Sequence, residues 1–216
     1  MTLRLAIFDC DGTLVDGQAA VCDAMEAGFA AADLPTPDRR EVRRIVGLSL
    51  PQAINLLAPE ASEEQRGLAV AAYKQSFFNT RESGQLHEPL FDGIADLLHR
   101  LNSAGWQLAV ATGKSQRGLT ACLAAHGISD LFVSLQTADG HPSKPHPSMI
   151  EQCLADAGAG PADAVMIGDT TFDIDMASNA GVRALGVSWG YHTPGELLAA
   201  GAAAIAEDAA HLERLL

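Results

Sequence analysis

An apolar run over residues 3–8 ends abruptly in Asp9-Cys10-Asp11-Gly12-Thr13. Two carboxylates two residues apart at the end of a buried strand raise each other's pKa and resist ionising together. A bound cation removes that penalty. Mg²⁺ suits the place, because it takes carboxylate and carbonyl oxygens and keeps its remaining positions for water or phosphate oxygen. A chain that starts its fold this way is expected to build a phosphoryl-transfer site on a strand end.

The rest of the chain says what that strand joins. Residues 16–81 carry a helical pattern only. Val21, Cys22, Met25 and Phe29 recur at helical spacing, and Leu34-Pro35-Thr36-Pro37 ends the run. Residues 41–46, 50–57 and 62–78 are predicted as further helices, with Pro51 in a first turn and Ser62-Glu63-Glu64-Gln65 as a capping box. From about residue 90 the texture alternates. Strands are predicted over 106–111, 131–135, 164–167, 184–187 and 202–205, and helices over 92–102, 115–126, 147–157, 172–180 and 194–200. Such alternation makes a parallel sheet with helices on both faces. The helical block offers no partner for strand 3–8, so that strand belongs to the later sheet. The predicted fold is therefore α/β: a doubly wound, Rossmann-like parallel sheet from residues 1–15 and 86–216, with an all-helical cap inserted over 16–85.

Composition limits the partners. Hydrophobic residues make up 48% of the 216, enough for a sizeable core. Acidic residues outnumber basic ones 27 to 14, for a net charge of −13, which disfavours nucleic acid. It also means that a phosphate site has to be locally positive. Cys10, Cys22, Cys122 and Cys153 are scattered without a CxxC and are expected to be free, buried thiols. Met1-Thr2-Leu3-Arg4 runs straight into the first strand, and no apolar stretch is long enough to cross a bilayer. A cytoplasmic protein without membrane contact is the expectation; oligomeric state is not readable.

In an open parallel sheet, ligands sit at the carboxyl ends of the strands. Four polar clusters are predicted there: Asp9/Asp11/Thr13, Thr112/Gly113/Lys114, Ser143/Lys144, and Gly168/Asp169/Thr170/Thr171/Asp173. Singly, each reads as a cap or a turn. Together, in order and each after a strand, they point to one crevice. Asp16 is read as the N-cap of the first helix of the block.

These four clusters resemble the motifs of the haloacid dehalogenase-like hydrolase superfamily, in the subgroup with a helical cap after the first strand. Asp9-x-Asp11-Gly12-Thr13 is similar to its first motif, Thr112 to its second, Lys144 to its third and Gly168 to Asp173 to its acidic fourth. Residues 168–181 and the loop Trp189-Gly190-Tyr191-His192 look most like phosphoglycolate phosphatases. The resemblance implies a Mg²⁺-dependent phosphatase acting on a small phosphorylated metabolite. It makes Asp9 the nucleophile and Asp11 the general acid and base, kept protonated at rest by the charge on Asp9. It gives the metal to Asp9, the backbone carbonyl of Asp11 and Asp169, with Asp173 supporting the metal or orienting Lys144. It assigns the phosphate oxygens to Thr112, Gly113 and Lys144. Related caps place a substrate-facing loop where Gly47-Leu48-Ser49 stands; Arg43, Arg44 and Lys74 are candidate anion contacts there. A sugar phosphomutase on the same scaffold and a phospho-accepting signalling domain are the rival readings. The fourth motif, with Asp173, opposes the first, and Asp11 with the large insert opposes the second.

Overall fold

The computed structural model describes residues 3–216; Met1 and Thr2, part of the predicted direct entry into the first strand, lie outside them. The first strand, β1 (Leu5–Phe8), is buried at every position. Its side chains alternate, as a pleated strand requires. Ala6 and Phe8 enter one apolar cluster, and Leu5 and Ile7 enter another on the opposite face. Full burial of Leu5, Ile7 and Phe8 stabilises the fold by about 1.5–3 kcal/mol each.

Four helices follow: α1 (Gln18–Ala31), α2 (Arg39–Arg44), α3 (Leu50–Leu57) and α4 (Glu63–Glu82). They enclose their own apolar cluster of Val21, Cys22, Met25, Phe29, Val42, Ile54 and Ala69. The predicted capping box at Ser62 and Gln65 is formed, and α4 runs four residues past its expected end. Helix α2 starts two residues earlier than expected because Asp38 accepts a hydrogen bond from the Arg40 amide as N-cap. The Asp16 expectation is corrected: Gly17 is the N-cap of α1, and Asp16 accepts from the Gln18 amide one position further out, at 3.3 Å.

The chain then returns beside its point of departure. Asp16 donates its amide to Pro89, Phe91 donates to Leu14, and Val15 bridges antiparallel to Leu90. Beyond this paired crossing come α5 (Ile94–Ser103), β2 (Gln107–Thr112), α6 (Gln116–Ala125), β3 (Phe132–Thr137), α7 (Ser148–Ala157), β4 (Ala164–Gly168), α8 (Thr171–Asn179), β5 (Arg183–Val187), α9 (Pro194–Ala199), β6 (Ile205–Ala206) and α10 (Ala209–Leu215). Two expectations fail at this end. The last strand is shorter and later than 202–205, because the Leu197 carbonyl and Gly201 turn the chain first. Helix α10, capped by Asp208, is a missed element.

The six strands among the described residues run in the order β3-β2-β1-β4-β5-β6, all parallel. Helices α5, α6 and α10 cover one face and α7, α8 and α9 the other. Successive strands add outward on one side of β1 and then on the other, so the winding reverses between β1 and β4. That is the switch point where a doubly wound sheet opens a crevice. Asp9 and Asp169 are the residues that leave these two strands.

Candidate active site

Asp9 continues β1 by one residue and donates its amide to Ile167 at 2.9 Å. Its carboxylate lies 2.9 Å from Lys144 Nζ, which also donates to Asp173 Oδ1 at 2.6 Å; all three side chains are fully buried. The lysine makes its aligned hydrogen bond to Asp173 and meets Asp9 as an ion pair. Both Asp9 oxygens are thereby left without a hydrogen-bond partner among the described residues. Asp169 completes the group: Asp9, Asp169 and Asp173 each offer an oxygen within 4.8 Å of the others.

Three buried carboxylates face one ammonium here, and the electrostatics register the imbalance. Burial pushes the Asp9 carboxyl up to about 7, against the pull of Lys144 and with the help of Asp173. Burial, Asp173 and Asp9 hold Asp169 well above the usual carboxylate range. Lys144 is raised despite burial, by Asp173 and Asp9. A hard divalent cation fits this donor set, since it would supply the missing charge and use the orphaned Asp9 oxygens.

Local chemistry aims each acid. Asp169 accepts from Thr13 Oγ1 and from the Tyr191 amide, both at 2.9 Å. Gly12 sits at φ +88°, and a Cβ there would collide with the Asp169 carboxylate and the Tyr191 ring. Asp173 lies in the first turn of α8, where its Oδ2 accepts from the Thr170 amide and hydroxyl at 3.0 and 2.8 Å. Asp169 precedes that helix, so the two carboxylates meet through strand end and helix start, not along one helical face.

Asp11 has a partner of its own outside this group. Its Oδ1 accepts from Lys114 Nζ at 2.8 Å, and Lys114 also pairs with Glu88 at 2.7 Å. Those carboxylates hold Lys114 well above its ordinary value despite burial. Thr112 closes β2, buried, with its hydroxyl accepting from the Lys114 amide at 3.3 Å. Gly113 follows, and a Cβ on it would run into the carbonyls of Gly47 and Leu48.

The helical block therefore presses on the strand ends. Ser49 donates its amide to Ser143 Oγ at 2.8 Å. His192 accepts from the Thr171 amide through Nδ1 at 3.1 Å, so its proton is on Nε2, which donates to the Arg44 carbonyl at 3.0 Å. Arg44 pairs with Glu196 at 2.7 Å, whereas Arg43 and Lys74 are exposed. Between block and sheet lies a cavity of about 420 Å³ that reaches Asp11, Thr112 and Gly113.

Comparison with known proteins decides the family. The sequence profile of the haloacid dehalogenase-like hydrolases matches residues 6–187. The chain belongs to this family. The curated protein named "Probable phosphatase IndB" from Dickeya dadantii is 37% identical over 198 residues, covering 91% of this chain and 86% of that protein. A phosphoglycolate phosphatase from Vibrio vulnificus is 30% identical, covering 92% and 89%. The solved structure of a haloacid dehalogenase-like family protein from Streptococcus pneumoniae is 27% identical, with a TM-score of 0.85 over 99% of this chain and 98% of that one. As a haloacid dehalogenase-like hydrolase with phosphatase relatives, the protein is placed among the phosphoric monoester hydrolases.

Within this family frame, the structure brings Asp9, Lys144, Asp169 and Asp173 into direct proximity and sets Asp11, Thr112 and Gly113 on the adjoining cavity wall. Sequence reasoning missed the pairing of Lys114 with Asp11 and Glu88, and the roles of Tyr191 and His192 in bracing the fourth motif. Lys114 was visible beside Thr112; Glu88 stands in the return crossing, where no pattern marks it. All four cysteines are free and buried, as expected.

Proposed function

We propose that this hydrolase is a Mg²⁺-dependent phosphatase that cleaves the phosphate monoester of a small metabolite through an aspartyl-phosphate. The observation that carries the reading is the fully buried Lys144 held between Asp9 and Asp173 at the strand-order reversal. Asp9, the Asp11 backbone carbonyl and Asp169 would hold the cation. When bound, it would neutralise charge on the phosphoryl oxygens and on the carboxylates around them.

An Asp9 oxygen attacks phosphorus and the bond to the leaving alkoxide breaks. Asp11 gives that alkoxide a proton. Asp11, then a carboxylate, takes a proton from water, whose oxygen attacks the acyl-phosphate and frees Asp9 and inorganic phosphate. Asp11 and Glu88 share one ammonium, Lys114, so a proton on Asp11 brings that trio to zero charge. Lys144, Thr112 and the Gly113 amide position and neutralise the phosphoryl oxygens. Thr13 and Tyr191 fix Asp169, and Thr170 fixes Asp173. Residues 16–85 act as a cap that closes through the 47–49 loop and excludes water.

Phosphoglycolate, named in several relatives, is the first compound to assay. The protein is expected to hydrolyse it or p-nitrophenyl phosphate only with Mg²⁺. Asp9→Asn is expected to lower kcat by about 10⁴-fold or more while the circular dichroism spectrum is unchanged. Undiminished turnover by that variant, or full activity in excess chelator, would contradict the reading.

A further inference from the structure

The cavity above the strand ends is larger and less polar than a two-carbon acid requires. Its volume of about 420 Å³ falls in the range that accommodates ring-sized ligands. Away from Asp11 and Thr112, the apolar part of its wall is made by Met25, Val42, Val46, Leu50, Phe77 and Phe78. The aromatic part is braced: Phe77 packs on Tyr73 with ring centroids 5.1 Å apart, and the Arg117 guanidinium lies 4.3 Å from the Phe78 ring centre. Half-buried aromatic faces held in this way are apolar surface waiting to be covered.

The cations around the cavity do not offer a dry seat for a second anionic group. Lys114 stands over Phe77 at 5.7 Å, but both Asp11 and Glu88 already claim its charge. Lys74 and Arg117 face water and Arg81 is half-exposed, so their charges are screened. A carboxylate placed deep among Met25, Val42 and Leu50 would lose its hydration with no partner to replace it.

We propose that the preferred substrate is a phosphate monoester whose alcohol carries an apolar body of aromatic-ring size or larger, seated against Val46, Leu50, Phe77 and Phe78. This rests on the phosphatase reading and narrows it. The phosphoryl end occupies the crevice at Asp9, Thr112 and Lys144, and the alcohol end fills the cavity under the helices.

The test compares primary alkyl phosphates, whose leaving groups are chemically alike: ethyl phosphate, 2-phenylethyl phosphate and phosphoglycolate, with p-nitrophenyl phosphate as a check on hydrolysis itself. The expected result is a kcat/KM for 2-phenylethyl phosphate roughly tenfold or more above that for ethyl phosphate and for phosphoglycolate. Phe78→Ala and, separately, Leu50→Ala are expected to shrink the phenylethyl-to-ethyl ratio severalfold. Because the readout is a ratio, it does not depend on how much of each variant folds, and the wild-type series needs no variant. Equal values for the three alkyl esters, or a tenfold preference for phosphoglycolate, would overturn the proposal while leaving the phosphatase reading intact. No turnover of any ester, p-nitrophenyl phosphate included, would overturn both.

Discussion

The strand ends and the helical block solve opposite problems. At the strand ends, Asp9, Lys144, Asp169 and Asp173 are completely buried ionisable groups, each held by a named partner. In the block, the cavity wall is largely apolar, and among the described residues three polar side-chain contacts join it to the sheet domain: Ser49 to Ser143, His192 to Arg44, and Arg44 to Glu196. On the proposed function, the charged floor carries the chemistry and the apolar roof the selection. Disturbing the floor is expected to cost stability and turnover together. Disturbing the roof is expected to change substrate use and leave the fold nearly intact.

Lys144→Ala is the severest challenge to that contrast. It leaves Asp9 and Asp173 buried without their ammonium, a change of about 3–5 kcal/mol for a broken buried pair. Urea denaturation in chelator is expected to show that loss, along with abolished turnover; a variant as stable as wild type would deny that the lysine balances the floor. Gly113→Ala is milder. The added methyl meets the Gly47 and Leu48 carbonyls, so the block cannot seat fully. We expect roughly a tenfold fall in kcat/KM, or ~1.4 kcal/mol in the transition state, with the denaturation midpoint almost unmoved. A large stability loss there would mean that block and sheet are one cooperative unit.

Glu196→Gln is the smallest perturbation. Hydrogen bonds from Arg44 and from the Thr193 amide and hydroxyl hold the Glu196 carboxyl down at about 2. A depressed carboxylate contributes stability above its unfolded pKa of 4.5 and loses it as pH falls toward 2. The thermal midpoint of the variant is therefore expected to lie slightly below wild type at neutral pH, and the gap to close as pH drops through 4.5 toward 2. A gap that widens in acid would reverse the sign and exclude this pairing.

The same division explains what could be read in the sequence. The floor was legible because its acids sit directly after apolar strands, where Asp9 and Asp169 have no cheaper reason to be. The parallel sheet followed from β and α alternation, and β1 could join no other element. The pairing of Asp11 with Lys114 and Glu88 was not legible, since Glu88 reaches the site only through the paired crossing at Val15 and Leu90. Helix α10 was hidden by an alanine-rich stretch with little periodicity, and only its Asp208 cap marks its start. The cavity could not be seen at all: Met25 fits an ordinary helical apolar stripe, and Val42 and Phe77 carry no mark of a site until four helices arrange them around a space.

On the proposed mechanism, Asp9 takes the phosphoryl group and Asp11 lets water remove it. Asp11→Asn keeps the size of the side chain and removes the proton carrier. After incubation with Mg²⁺ and a phosphomonoester, then acid quenching and peptide mass analysis, one phosphoryl group is expected on the peptide containing Asp9. An unmodified Asp9 peptide, with turnover by Asp11→Asn matching wild type, would contradict the account.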